Sequence, residues 1–241
     1  MSTPLVRRSP VQPGVVVANV ELTPRMRRVT VRAESMVGVA LRPAQDVELH
    51  LVDETRRRVK RRYTIRAARP VLGEFDLDVA LHGPGPGARW GATARAGDDV
   101  TFQGPRGKLD LRPAAVHLLV GDESALPAIA VICAALPAGE RGVAVLEVHD
   151  AAEEQPVAGK AEWVHRGDAA PGSPDLLLPV VRSVLASVPA RGVRGYLLGE
   201  TRTMVALRAL LEEHGIAHDA IFVKGYWNVA RPDRREGRSP L

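Results

Sequence analysis

Apolar and polar positions alternate in short runs over the first hundred residues. Gly14–Leu22, Arg27–Ala33, Gln45–Val52, Val59–Arg66, Glu74–Leu81 and Asp99–Gln103 are rich in β-branched side chains and are separated by Pro, Gly or charge. Six strands at that spacing predict an antiparallel six-stranded β-barrel or a sandwich. The rhythm then changes. Val116–Val120, Val143–Val148, Glu162–His165, Gly195–Leu198 and Ala220–Val223 read as strands, interleaved with helical patterns at Ala125–Ala135, Pro174–Ala186 and Thr201–His214. Strands alternating with helices predict an α/β domain with a mainly parallel, covered sheet. Arg112-Pro113 interrupts the pattern at the join, so the expected domains span residues 1–112 and 113–230. The arginine-rich stretch 231–241 has a composition that predicts a flexible tail.

Charge sharpens this picture. The 241 residues are 45% apolar, enough for a sizeable core, and carry a net charge of +5, too mild for a whole-chain nucleic-acid binder. The positive field is local: residues 1–70 hold 15 Lys/Arg against 6 Asp/Glu, and the remainder 18 against 22. A single cysteine, Cys133, excludes an internal disulfide, a protein-held iron–sulfur cluster and a thiolate zinc site, each of which needs several sulfurs. Redox chemistry would therefore need a borrowed cofactor. Met1–Arg8 has no apolar run behind its arginines, and no stretch approaches the roughly 20 apolar residues of a membrane helix. A soluble cytoplasmic protein, monomeric and without nucleic-acid or membrane partners, is the expectation.

Candidate chemistry clusters in a few segments. In Arg61-Arg62-Tyr63-Thr64-Ile65-Arg66, strand alternation puts Arg61, Tyr63 and Ile65 on one face and Arg62, Thr64 and Arg66 on the other; a strand end or bulge could bring Thr64 round to a ligand held by its neighbours. Arg offers a fork to a diphosphate, Tyr a ring to a flat heterocycle, and Thr a hydroxyl to a ring nitrogen. A basic edge strand that discourages aggregation explains the same residues. The glycines of Gly83–Gly87 precede a short helix-like stretch, an arrangement that presents backbone N–H groups to an anion, with Arg89 adding charge. Gly121–Ile129 follows an apolar strand and opens a helix, with Ser124 available as cap, where open parallel sheets bind ligands. Asp122 and Glu123 would repel a phosphate, so this turn is assigned to nicotinamide-side packing or to a plain strand-to-helix turn. No G-x-G-x-x-G fingerprint is present.

Taken in order, Arg61-x-Tyr63-Thr64-x-Arg66, the segment from His82-Gly83 to Trp90, Gly104-Pro105-x-Gly107, Gly121-Asp122-Glu123-Ser124-Ala125-Leu126-Pro127-Ala128-Ile129, Gly199-Glu200 and Gly225-Tyr226-Trp227 resemble the siderophore-interacting protein family over nearly the whole chain. The resemblance implies a ferredoxin-reductase-like protein: an FAD-binding β-barrel followed by a nicotinamide-binding α/β domain. It implies cytoplasmic reduction of ferric siderophores with electrons from NADPH, NADH or, in one subgroup, ferredoxin. By position, Arg61 would meet the FAD phosphates, Tyr63 would stack on the isoalloxazine and Thr64 would bond near its reactive edge, with Arg66 beside them. His82, Gly83, Ala88, Arg89 and Trp90 would line the phosphate or adenine side. Gly121, Asp122, Glu123, Ser124 and Ala125 would border the nicotinamide, and Tyr226 and Trp227 would lie near the flavin. Tyr63, Thr64 and Trp227 are the expected catalytic residues. Arg62 stands where the family often has proline, Gly87-Ala88-Arg89 lacks a serine often seen there, and Asn228-Val229-Ala230 leads into a longer tail.

The implied reaction is an NADPH-driven, FAD-dependent reduction of an Fe(III)-siderophore that releases Fe(II). The eight Lys/Arg between residues 56 and 69, without an acid, would concentrate an anionic chelate, with Arg56, Arg57, Arg58 and Lys60 as substrate contacts; a solvated loop accounts for Arg56–Arg58 as well. A 2′-phosphate could be met by Arg166 or Lys160. A ferredoxin-type reductase with a protein partner and a non-catalytic siderophore- or flavin-binding protein remain as alternatives. His214 and His218 have the spacing of a helical metal pair, but Gly215 intervenes and no acidic third ligand is placed. Cys133 reads as a core thiol and Glu200 as a helix cap.

Overall fold

A computed structural model describes residues 10–107 and 109–229; the expected amino-terminal segment and arginine-rich tail lie outside the described residues. Contacts divide the chain into two compact units that meet between Leu109 and Asp110, with the Thr23–Arg25 turn counted to the second.

The first unit is a closed antiparallel barrel of β1 (Gln12–Thr23), β2 (Met26–Arg32), β3 (Asp46–Val52), β4 (Arg58–Arg69), β5 (Glu74–Ala80) and β6 (Asp99–Arg106), in the order β1-β2-β5-β4-β3-β6. Closure removes exposed sheet edges. Inward positions make one core from Val16, Val29, Val31, Val47, Leu49, Ile65, Leu77 and Val79 around an edge-to-face Phe75–Phe102 pair with centroids 5.2 Å apart. On β5 the alternate residues Glu74, Asp76 and Asp78 point outward yet are buried under arginine. Arg28 forks onto Asp78 at 2.6 and 2.8 Å, Arg32 meets Glu74 at 2.7 Å, and Arg69 reaches Glu74 at 2.8 Å and Asp76 at 2.7 Å. Helix α1 (Pro86–Thr93) follows β5.

The second unit holds a fully parallel five-stranded sheet in the order β11-β10-β7-β8-β9: β7 (Val116–Asp122), β8 (Arg141–Val148), β9 (Lys160–His165), β10 (Val193–Glu200) and β11 (Ile221–Trp227). Helices α3 (Pro174–Ala186) and α4 (Thr201–Glu213) pack Leu177, Val181, Leu185, Met204, Leu207 and Leu211 onto Val116, Leu118, Val120, Val143 and Val145. The third helix, α2 (Leu126–Ala134), is apolar on nearly every side and buries Cys133, whose thiol burial pushes up to about 11. Chain order reverses between β7 and β10, which makes the carboxyl ends of those strands the topological place for a ligand. No helix among the described residues is long and apolar enough to cross a membrane.

Candidate functional site

On the barrel, β4 and α1 bring Arg61, Tyr63, Gly87 and Trp90 together. The Tyr63 and Trp90 rings lie 6.1 Å apart at 36°. A Cβ on Gly87 would stand 2.1 Å from the Tyr63 hydroxyl and 3.5 Å from Arg61 Cγ, so only glycine lets the first turn of α1 approach this closely. The helix begins with Gly85, which offers no side-chain cap, and with Pro86, which has no N–H. The Arg89 amide closes on the Gly85 carbonyl at 3.0 Å, so the Gly87 and Ala88 amides are the donors the helix leaves over. Backbone amides, the Arg61 guanidinium and a half-buried phenol whose ionisation burial opposes are suited to a diphosphate joined to a flat ring. Arg89 Nη2 reaches the Glu54 carboxylate at 3.1 Å, and His82 and Gly83 lie exposed in the loop before the helix.

Strand β4 changes phase at a bulge between Ile65 and Ala67, so Thr64 and Ile65 are both buried. Within the bulge Arg66 stands 3.8 Å from the Asp78 carboxylate. The basic run also divides. Lys60 donates to Glu48 at 2.8 Å and to Gln103 at 3.0 Å, while Arg106 stands 3.0 Å and Arg62 3.6 Å from the same carboxylate. Burial pushes Glu48 up, but hydrogen bonds from Lys60 and Arg106 outweigh it and hold the carboxyl at about 2. Lys60, expected to contact substrate, is thus engaged by protein. Arg56, Arg57 and Arg58 stay exposed at the β3–β4 hairpin tip, where Asp53 Oδ1 accepts from Thr55 and Arg57 amides at 2.8 and 2.9 Å.

At the carboxyl edge of the second unit's sheet, the residues expected to border a nicotinamide divide between packing and exposure. Asp122 is buried. Its Oδ1 accepts from the Ser124 amide at 2.9 Å and from the Ser124 hydroxyl; its Oδ2 accepts from the Glu200 amide at 3.0 Å and Trp227 Nε1 at 2.8 Å. Four donors satisfy this carboxylate from protein. Burial still pushes Asp122 up against the hydrogen bonds from Ser124 and Trp227. Ser124 accordingly serves Asp122 rather than capping α2, whose first turn carries no side-chain cap. Gly121 and Ala125 are packed, a Cβ on Gly121 falling 2.5 Å from the Leu198 carbonyl. Glu123 forms a two-point pair with Arg166, one limb at 2.6 Å. Arg166 is therefore buried and balanced by protein rather than presented to a 2′-phosphate, and Lys160 pairs with Glu162 at 2.6 Å.

Glu147 on β8 lies beside Asp122 in register, with Arg166 Nη1 3.7 Å away; burial, then the Asp122 charge, push it to about 7 against the pull of Arg166. Glu200 caps α4, accepting from the Thr203 amide at 2.8 Å. Trp227 and Tyr226 are half-buried at the end of β11, where Lys224 Nζ sits 5.1 Å over the Tyr226 ring. His214 donates to the Val188 carbonyl at 3.1 Å, and His218 meets Glu212 at 2.8 Å.

Known proteins place this architecture. "Siderophore-interacting FAD-binding domain" matches residues 37–109 and "Siderophore-interacting protein" matches residues 114–230. A siderophore utilization protein from T. fusca is 30% identical, superposes with a TM-score of 0.84, and the match covers 94% of this chain and 96% of that one. The chain belongs to the siderophore-interacting protein family. FAD is the cofactor of its barrel domain. Ferric vibriobactin reductase ViuB of Vibrio cholerae serotype O1 is 32% identical over 180 residues, 70% of this chain. The chain spans about 64% of that curated relative's length. The ferredoxin reductase in carbazole 1,9a-dioxygenase, 18% identical with a TM-score of 0.70 and covered for 70% of its length by 90% of this chain, shares the fold. Within this siderophore-interacting protein, sequence reading takes Gly87 only as one glycine of the run before α1 and passes over Glu147 and Gly172. Only the neighbours supplied by the fold, Tyr63 for Gly87 and Glu200 with Trp227 for Gly172, show why glycine stands there.

Proposed function

We propose that this protein is a cytoplasmic FAD-dependent reductase that carries electrons from a reduced nicotinamide to an Fe(III)-siderophore and lets the metal go as Fe(II). The observation that carries the reading is the meeting of Arg61 and Tyr63 with the uncapped start of α1 at Gly87, on a chain of the siderophore-interacting family. Arg61 and the Gly87 and Ala88 amides would hold the FAD diphosphate, Tyr63 would lie against the ring system, and Thr64 would bond at its edge. Bound FAD supplies the conversion between a two-electron hydride donor and a one-electron metal acceptor. Hydroxamate and catecholate oxygens are hard ligands that hold Fe(III) far better than Fe(II), so reduction loosens the metal with the chelator intact. No general base is needed, and the residues carry out binding and orientation. The exposed Arg56–Arg58 tip would gather an anionic chelate, and Trp227 would wall the donor site at the carboxyl edge of the second unit.

The test is anaerobic. FAD-loaded protein is mixed with NADPH, NADH or reduced ferredoxin, then with a ferric siderophore and a colorimetric Fe(II) trap. Fe(II) formation that needs both FAD and a nicotinamide is expected. A protein that cannot be loaded with FAD, or that loads and yields no Fe(II) with any donor, overturns the proposal; activity with ferredoxin alone overturns the donor.

A further inference from the structure

The Asp122 carboxylate does more than close its own turn. One oxygen suffices for the turn to Ser124; the other is directed at groups 78 and 105 residues away, the Glu200 amide and the Trp227 indole N–H. The backbone is shaped to admit it: Gly199 adopts φ +146°, and a Cβ there would lie 2.6 Å from Oδ2. A register shift between Gly199 and Glu200 sets Glu200 opposite Trp227. Trp227 is held at two further points. Thr201 Oγ1 donates to its carbonyl at 2.8 Å, and Gly172 brings the β9–α3 loop so near that a Cβ would stand 3.0 Å from Cη2. From this geometry we infer that Asp122 is a positioning residue: it ties together the carboxyl ends of β7, β10 and β11 and thereby fixes Trp227 as an immobile wall of the donor site, rather than a side chain that swings aside.

The physical reason is asymmetry of cost. An indole that left its place would take from a buried carboxylate oxygen one of its two donors, and a buried acceptor that loses a partner is costly. The ring also fills the space that Gly172 leaves open. The inference rests on the proposed reading of Trp227 as donor-site wall, whereas the tether itself does not.

The test uses the full-length, FAD-loaded protein carrying 5-fluorotryptophan. Its three tryptophans, Trp90, Trp163 and Trp227, give three fluorine resonances, and Trp227→Phe identifies the third. In Asp122→Asn the Trp227 resonance is expected to shift and broaden while the other two hold their positions. KM for the nicotinamide donor should rise about tenfold, the scale of a lost hydrogen bond to a charged group, with kcat for the ferric chelate little changed. Ser124→Ala removes one donor from Oδ1 and leaves Oδ2 alone, so it should leave the Trp227 resonance in place. Should Asp122→Asn fail to fold, Trp227→Phe carries the test: it removes the N–H and keeps a ring, and should reproduce the KM rise. An unmoved Trp227 resonance in Asp122→Asn overturns the tether. A moved resonance with unchanged donor KM, or an unchanged KM in Trp227→Phe, overturns the positioning role. A moved resonance in a protein that no nicotinamide reduces upholds the tether and overturns the donor reading.

Discussion

At the scale of single residues, Gly87 and Arg166 show how little slack the two units contain. An added methyl at Gly87 must displace either the Tyr63 hydroxyl or the first turn of α1. Overpacking of this kind costs about 1–3 kcal/mol, here at the proposed FAD contact. Gly87→Ala is therefore expected to raise the FAD dissociation constant about tenfold or more, measured by flavin fluorescence titration; wild-type affinity would remove Gly87 from the site. Arg166 is buried between Glu123 and Glu147. Arg166→Ala leaves these carboxylates without their cation and should destabilise the protein by about 3–5 kcal/mol, read from chemical denaturation. A loss below about 1 kcal/mol, the value of an exposed pair, would contradict the burial argument. Neither residue could be assigned from sequence. Glu123 and Arg166 are 43 positions apart, and Gly87 acquires its meaning only when β4 presents Tyr63 to it.

Elements were more legible than their partners. The alternation in Glu74-Phe75-Asp76-Leu77-Asp78-Val79 reads directly as a strand with one apolar face, and β5 is that strand. Its acids look solvent-facing in sequence, and nothing local reveals that Arg28, Arg32 and Arg69 from β2 and β4 cover them. The same blindness affected the basic run from Arg56 to Arg69. Read along the chain it is one patch; folded, Lys60 and Arg62 face Glu48, while Arg66 and Arg69 face the acids of β5, leaving the hairpin tip as the outlying positive element. Replacing Arg56, Arg57 and Arg58 by Gln is thus expected to raise KM for an anionic ferric chelate several-fold at low salt and to leave a neutral chelate nearly unaffected. Equal changes for both chelates would dispose of electrostatic capture. Asp122 shows the limit from the other side: the strand-to-helix turn was visible, but its carboxylate is satisfied from β10 and β11, which only the parallel sheet brings to it.

Across the whole molecule two carboxylates set opposing responses to pH. Glu48 in the barrel titrates at about 2 against an ordinary 4.5, so its contribution to stability is present above pH 4.5 and is lost as pH falls towards 2. Glu147 in the second unit titrates at about 7, so the unfolded chain gives up that proton first and stability declines as pH rises from 4.5 to 7. Calorimetric unfolding should show Glu147→Gln flattening the decline above pH 4.5 and Glu48→Gln flattening the loss below it; slopes indifferent to these changes would refute the assignment. The roof of guanidinium over β5 has a consequence for brine. Asp78 has no exposed side-chain surface and Asp76 only 7%, so dissolved counter-ions reach these ion pairs only from their part-exposed arginine side, whereas they bathe the hairpin arginines freely. Concentrated salt would accordingly dim the long-range pull on a charged chelate and leave the flavin-holding barrel standing, separating capture from architecture in a single titration.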